Sequence, residues 1–335
     1  MINFLFLVFI VLCFSFTSIM SDAIDKPKNM EIVKPEISWE SWKKNLYKKL
    51  ENSKKYKLDT LTHIKDLKFN KKVILLDRKQ PEFKLTFQEY LDKITPEEVT
   101  KLGKNKYLKN KLLINNISKE YSVPSELLVS LWGIESKFGA HKGGFDILNS
   151  LASLAYDGRR SDFFLKQFIM TLEILDKNFL EKKQLIGSWA GAMGQTQFMP
   201  GTFLAYAVDY NKDGKKNLIK HKEDALASGA NYLSKSGWNV SLPWGEEVTN
   251  LKINKEIMEL SSNKAYKSQV FWKDLGFFLK KRYDSKTKFR LIIPDLTSKK
   301  YFLVTSNYDV ILKWNRSNYF ALAVGLLSDN IGKLK

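Results

Sequence analysis

The sequence predicts a mainly α-helical fold with a small β-rich subdomain near its C-terminus. Three observations carry this expectation. Apolar residues recur at helical spacing along most of the chain, as Leu127, Leu131 and Ile134 do, with Leu128, Trp132 and Glu135 one residue on. From Val248 to Asn307 the texture changes to short apolar runs split by Pro294-Asp295 and lysine turns, which is the pattern of strands. A hydrophobic content of 44% with 13% aromatic residues supplies a substantial core for 335 residues and excludes a disordered chain.

The elements follow in order. Phe4 to Phe16 is an apolar run of signal-peptide length, too short to span a bilayer, and Ser21-Asp22-Ala23 offers small residues for cleavage after Ala23. Residues 1–23 therefore read as an export signal. No positive charge precedes the run, so an uncleaved anchor is the competing reading. Cys13, the one cysteine, follows Leu12 rather than a small residue, which speaks against a lipoprotein site. Cleavage after Ala23 leaves no thiol for catalysis or a disulfide.

Residues 24–38 read as a polar linker, and 39–110 as an N-terminal helical region. In the latter, Trp39, Trp42, Leu46 and Leu50 share a helix face. Val73–Asp77 is a short apolar run, and Gln80-Pro81-Glu82-Phe83 is a turn leading to a helix with Phe87, Tyr90 and Leu91. Thr95-Pro96-Glu97-Glu98 has the Pro and acids of a helix start, and Tyr107–Tyr121 continues helically.

Residues 111–240 form the predicted core. Pro124 opens a buried helix that ends before Gly139. A Gly-rich loop and a helix from Leu148 to Tyr156 follow, then a turn at Asp157-Gly158-Arg159-Arg160. Ser161-Asp162 caps a helix to about Phe179, and Ala225–Tyr232 is again helical. Trp238–Glu247 reads as loop. The β-rich subdomain spans 241–310, with strand-like runs at Phe277–Leu279, Phe289–Ile293 and Tyr301–Val304, and the segment 311–335 returns to helix at Asn318–Leu327.

Glu135 is the candidate catalytic residue. It sits beside an apolar stripe in the last helical turn, where desolvation and the negative end of the helix dipole both favour its protonated form. A carboxylic acid that stays protonated near neutral pH can act as a general acid. The ordinary reading is a rim carboxylate, solvated or paired with Lys137. A second unusual stretch, Gly187–Gly201 (GSWAGAMGQTQFMPG), lets backbone come close to a neighbouring element or a ligand. Asp209, Asn211 and Asp213 place oxygens at positions 1, 3 and 5 of a loop, with Gly214 at 6 and the Lys215 carbonyl at 7, as in the first half of an EF-hand. The twelfth position is Lys220, which cannot ligate, so a longer loop would have to close through Glu223 or Asp224. An Asp/Asn/Gly surface turn is the alternative.

The formal net charge of +19 points to a polyanionic partner. Its spread along the whole chain argues against a dedicated nucleic-acid face. Histidines occur only at 63, 141 and 221, which suggests no Ser-His-Asp arrangement, and no phosphate-cradling Gly motif is present.

Six ordered motifs then bring a family into view: VILLDRKQPEF (73–83), WGIESKFG (132–139), SLAYDGRR (153–160), GSWAGAMGQTQFMPGTF (187–203), AVDYNKDGKKN (207–217) and WNRSNYFALAV (314–324). From about Trp39 to its C-terminus the chain resembles the lytic murein transglycosylase B family of periplasmic peptidoglycan-cleaving enzymes. The resemblance implies a lysozyme-like α-helical core with Glu135 as sole acid/base. It implies that Ser188, Gln197, Tyr232 and Asn315 line a sugar groove walled by Met193, Phe198 and Trp314. It implies a structural Ca2+ at Asp209, Asn211, Asp213 and Lys215, closed by Glu223 or Asp224, and no cofactor for the chemistry. The implied partner is the peptidoglycan glycan strand and not nucleic acid, with peripheral membrane association compatible.

The implied reaction breaks the β-1,4 bond between N-acetylmuramic acid and N-acetylglucosamine without water. Ordinary glycosidases need two carboxylates, and the next acid after Glu135, Asp146, lies beyond the Gly-rich loop. A lone carboxylate suffices where the substrate supplies its own nucleophile. A hydrolytic muramidase and an inactive wall-binding scaffold are the alternatives.

Overall fold

The structure, a computed structural model, describes residues 36–78, 85–249 and 253–333. The apolar run Phe4–Phe16, the Ala23 cleavage site and the turn Gln80–Phe83 lie outside the described residues. Among those described, fifteen helices and six short strands follow one another. They begin with α1 (Trp39–Asn52), α2 (Leu58–Lys65), α3 (Lys71–Arg78), α4 (Phe87–Ile94), α5 (Glu97–Lys109), α6 (Lys111–Tyr121) and α7 (Ser125–Ser136). Next come β1 (Phe145–Asp146), α8 (Ile147–Tyr156), α9 (Ser161–Asp176), β2 (Ile186–Gly187), α10 (Pro200–Tyr206) and α11 (Lys222–Lys235). The chain continues with β3 (Gly245–Val248), α12 (Lys255–Ser262), β4 (Lys267–Ser268), α13 (Gln269–Asp274), β5 (Lys288–Ile292), β6 (Tyr301–Val304), α14 (Ser306–Trp314) and α15 (Asn318–Gly332). None of the described helices is long and apolar enough to cross a membrane. Contacts group the chain into two units, Met1–Pro81 with His141–Ala225, and Glu82–Ala140 with Leu226–Lys335.

In the first unit α8 packs on α9, and α3 lies on α8. Val73 and Ile74 of the VILLD run are buried on one face of α3, and Ile147, Leu148 and Leu151 of α8 are fully buried. Asp146 caps α8 by accepting a hydrogen bond from the Asn149 N–H at 2.9 Å. The DGRR turn is fixed by charge. Arg78 donates to both oxygens of Asp157, at 2.7 and 2.9 Å, and the buried Asp77 meets Arg159 at 3.3 Å and also Arg160. A carboxylate as buried as Asp77 is tolerated because it is paired. Ser161 and Asp162 do not cap α9 as expected. Arg160 takes the N-cap position with φ +57°, and the Ser161 hydroxyl instead donates to the Ala155 carbonyl at 2.7 Å.

The second unit has two parts. Around α7 pack α5, α6 and α15, with the Ser130 hydroxyl donating to the Val324 carbonyl at 2.7 Å. The helical stretch Tyr107–Tyr121 is interrupted at Asn110, whose side chain donates to the Lys106 carbonyl at 2.8 Å while its backbone leaves the helical region at φ −124°. The other part is an antiparallel sheet in the order β3-β6-β5-β4, with Leu291 opposite Leu303 and Gly245 opposite Val304. Its core contains Val248, Ile257, Trp272, Phe277, Phe289, Leu291 and Leu303. The subdomain mixes α and β, since α12 and α13 lie within it. Phe277–Leu279 is no regular strand: Gly276 at φ +84° and the Phe277 N–H to Trp272 carbonyl bond (2.9 Å) close α13, and Phe278 then makes a single antiparallel bridge with Thr249. Part of the expected loop Trp238–Glu247 is strand β3. The buried Glu246 within it accepts from the Lys280 N–H and, at 2.7 Å, from the Tyr283 hydroxyl.

Candidate active site

Helix α7 is buried all round from Leu127 to Trp132, and its end is set by packing rather than by Gly139. Lys137 (φ +47°) and Phe138 (φ +59°) both turn left-handed, and their N–H groups close back on the carbonyls of Gly133 at 2.9 Å and Trp132 at 3.1 Å. The turn folds the Phe138 ring over Gly133, where an added Cβ would meet it at 2.7 Å. Two non-glycine residues in this region are strained. The strain is held by the edge-on contact of Phe138 with Trp132, 5.6 Å between ring centroids.

Glu135 therefore stands in the last turn, and its surroundings come from distant sequence. The Trp314 indole N–H donates to its Oε1 at 2.9 Å. Although Glu135 keeps some surface open, its carboxyl is deep enough that burial raises its pKa to about 8, against the opposing pull of the Trp314 bond. Burial lowers the pKa of Lys137, just beyond the helix end. Tyr90, buried on α4, has its phenol pushed up first by burial and then by the charge of Glu135, which puts it in the electrostatic neighbourhood of that carboxyl.

Trp314 is the last residue of α14. Asn315 caps it in extended geometry and accepts from the Ser317 N–H at 3.1 Å, and Ser317 in turn caps α15 through the Phe320 N–H at 3.3 Å. Tyr232 of α11 meets the Trp314 ring edge-on, centroids 5.0 Å apart, and its hydroxyl donates to the Lys313 carbonyl at 2.7 Å. Glu135, Trp314, Tyr232 and Asn315 thus form one connected group. Tyr90 escaped the sequence reading, and so did the direct bond from Trp314. Nothing in the local pattern around either residue marks it.

Ser188, Met193, Gln197 and Phe198 lie in the first unit, in a tight reversal after β2. Ser188 Oγ accepts from the Ala192 N–H at 2.9 Å, and Gln197, itself at φ +49°, donates from Nε2 to the Gly194 carbonyl at 2.8 Å. Met193 and Phe198 are buried and exchange backbone hydrogen bonds of 2.9 and 3.0 Å. The glycines of this stretch serve backbone-on-backbone approach: a Cβ on Gly187 would sit 2.2 Å from the Ala192 carbonyl oxygen. Asp146 is engaged within the same unit, as the α8 cap and as a partner of Lys182.

In the Asp209 loop, Asp209 accepts from the N–H groups of Asp213 (3.1 Å) and Gly214 (2.8 Å), and the Lys215 N–H reaches Asp213 at 2.8 Å. The buried Asp224 faces the loop, accepting from Tyr210 at 2.9 Å and Asn217 at 2.8 Å, whereas Glu223 lies only 4.0 Å from Lys222. His221 stands between the acids, 3.3 Å from Asp213 and 3.7 Å from Asp224. Among the described residues no three His, Cys, Asp or Glu side chains converge as a metal cage.

Residues 38–329 match the family described as the transglycosylase SLT domain. The chain belongs to this family. Within it, the membrane-bound lytic murein transglycosylase B of Escherichia coli K12 is 29% identical over 223 residues, which is 65% of this chain and 60% of that protein. The chain thus spans less than two thirds of the length of that relative. Among solved structures, SltB3 of Pseudomonas aeruginosa in complex with NAG-anhNAM-pentapeptide superposes with a TM-score of 0.82 at 34% identity, over 88% of this chain and 80% of that one. The soluble lytic transglycosylase SltB1 of the same organism gives 0.76 at 25% identity, over 88% and 99%. The resemblance to the transglycosylase B family and the mainly helical, lysozyme-like fold class expected from the sequence both stand.

Proposed function

We propose that this SLT-domain chain is a lytic transglycosylase that cleaves peptidoglycan glycan strands between N-acetylmuramic acid and N-acetylglucosamine, leaving 1,6-anhydromuramic acid ends. The observation that carries the reading is Glu135, a carboxyl raised to about 8 by burial, whose hydrogen-bond partner Trp314 is uncharged. Such a group is protonated at neutral pH and can deliver its proton to the glycosidic oxygen, so that the C1–O bond breaks with the N-acetylglucosamine end leaving as an alcohol. The carboxylate left behind takes the proton of the muramic acid 6-hydroxyl, whose oxygen closes on C1. The proton count balances, no water enters, and Glu135 is restored. A second carboxylate is unnecessary because the substrate supplies the nucleophile, as in other substrate-assisted glycosidases. The SltB3 complexes, one with NAG-anhNAM-pentapeptide and one with NAG-NAM-pentapeptide, support this substrate class.

Tyr232, Trp314 and Asn315 are proposed to meet the sugar directly. Ser188, Met193, Gln197 and Phe198 are proposed as further sugar-binding residues. The net charge of +19 suits a wall whose stem peptides carry carboxylates. An exported, periplasmic location rests on the apolar run Phe4–Phe16, and peripheral membrane association rests on the name of the E. coli relative.

Digestion of purified peptidoglycan followed by mass spectrometry is the test. Anhydromuropeptides from the wild type and none from Glu135→Gln are expected; products heavier by one water would establish a hydrolytic muramidase instead. We further propose that the Asp209 loop takes a structural Ca2+, supported by its 1, 3, 5 spacing, the turn at Gly214 (φ +83°) and the inward Asp224. The cation would have to displace His221, so binding should be weak. Millimolar calcium is expected to raise the melting temperature through mass action on the folded state, and an unchanged melting temperature would remove the site.

A further inference from the structure

Trp314 does more than wall a groove, because its indole touches the reacting group. We propose that Trp314 is the positioning residue of Glu135: its N–H occupies Oε1, leaves Oε2 as the oxygen that carries the transferred proton, and steadies the carboxylate once that proton has gone. The inference rests on the reading of Glu135 as acid and base.

The chemistry of the pair sets the division of labour. An indole nitrogen is a donor only, so the oxygen it meets must act as acceptor. In a neutral carboxyl the carbonyl oxygen accepts better than the hydroxyl oxygen. A bond of 2.9 Å, near the most favourable N–H···O distance, therefore selects Oε1 as the carbonyl and places the hydrogen on Oε2. After proton donation the same contact becomes a charge-assisted bond to the carboxylate, which is stronger than its neutral counterpart. The bond thus favours the product of the first half-reaction, and that product is the base of the second.

The indole is well placed for this task because it is fixed from three sides. It ends α14, where the Asn315 cap halts the helix. Tyr232 holds the preceding Lys313 carbonyl at 2.7 Å and lays its ring against the indole edge. The Asn315–Ser317 turn anchors the chain just beyond. A donor fixed in this way needs no reorganisation as charge develops on the carboxyl. Residues 314 and 135 lie 179 positions apart in the chain, so the contact is a product of the fold and not of local sequence.

The test uses Trp314→Phe, which keeps an aromatic wall and removes the donor, with Tyr232→Phe as a milder variant that frees the Lys313 carbonyl. The Glu135 carboxyl is titrated directly by carbon NMR in the ligand-free full chain, and kcat and KM on purified peptidoglycan are followed against pH. Trp314→Phe is expected to raise the Glu135 pKa by about one pH unit, the size of one hydrogen bond to a charged group. It should also lower kcat roughly tenfold or more with KM little changed, and Tyr232→Phe should act in the same direction more weakly. A raised KM with an unchanged titration and unchanged kcat would make Trp314 a sugar wall alone and overturn the proposal. Should Trp314→Phe fail to fold, an unmoved titration in Tyr232→Phe overturns it equally. Because the titration needs no substrate, it separates failure of this inference from failure of the proposed activity.

Discussion

Replacing Glu135 by Gln should stabilise the protein, and by an amount that grows with pH. The acid has an ordinary pKa of 4.5 and about 8 in the fold, so between those values the folded state holds a proton that the unfolded state has released. Stability therefore falls as pH rises through this window. At roughly 1.4 kcal/mol per tenfold change, the accumulated cost is about 1 kcal/mol at pH 5 and about 3 kcal/mol at pH 7. Gln keeps the shape and an oxygen that can accept from the Trp314 N–H, and it carries no charge at either pH. Urea unfolding of wild type and variant at pH 5 and pH 7, followed by circular dichroism, should show the advantage of Gln widening by about 2 kcal/mol. An advantage that is equal at the two pH values, or a Gln variant that is less stable at both, would refute the claim that burial sets the state of this carboxyl.

Two further outcomes probe the scaffold. Asp77→Asn takes one charge from the buried group that joins α3 to Arg159 and Arg160, and should cost roughly 3–5 kcal/mol in a thermal melt. A loss below about 1 kcal/mol would mean the pairing contributes as little as an exposed ion pair. Gly187→Ala drives a Cβ to 2.2 Å from the Ala192 carbonyl oxygen and should destabilise by about 1–3 kcal/mol. An unchanged melting temperature would show that the reversal after β2 has slack.

Much of the fold is legible in the sequence wherever one apolar period dominates. Leu127 to Trp132 declare α7 because almost every side chain there is buried. Its end before Gly139 is legible too, although the stop is made by the left-handed Lys137 and by Phe138 folding onto Gly133, a tertiary contact. The break at Asn110 depends on one side chain bonding its own helix, which periodicity does not register. Strand β3 was hidden by its acids. Glu246 is tolerated inside only because the Lys280 N–H and the Tyr283 hydroxyl lie opposite it, and both come from residues far along the chain. Glu135 could be singled out from helical spacing alone, yet Trp314, which bonds it, and Tyr90, whose phenol feels its charge, could not. Tyr90 and Trp314 arrive from α4 and α14, and no local rule links three such positions.

The proposed reaction is cleavage of the glycan by a single protonated carboxyl, with the substrate as its own nucleophile. Mass spectrometry of purified peptidoglycan digested by the wild type and by Glu135→Gln tests it most directly. 1,6-Anhydromuropeptides are expected from the wild type and none from the variant; hydrated reducing ends from the wild type, or anhydro products that persist in Glu135→Gln, would refute that reaction.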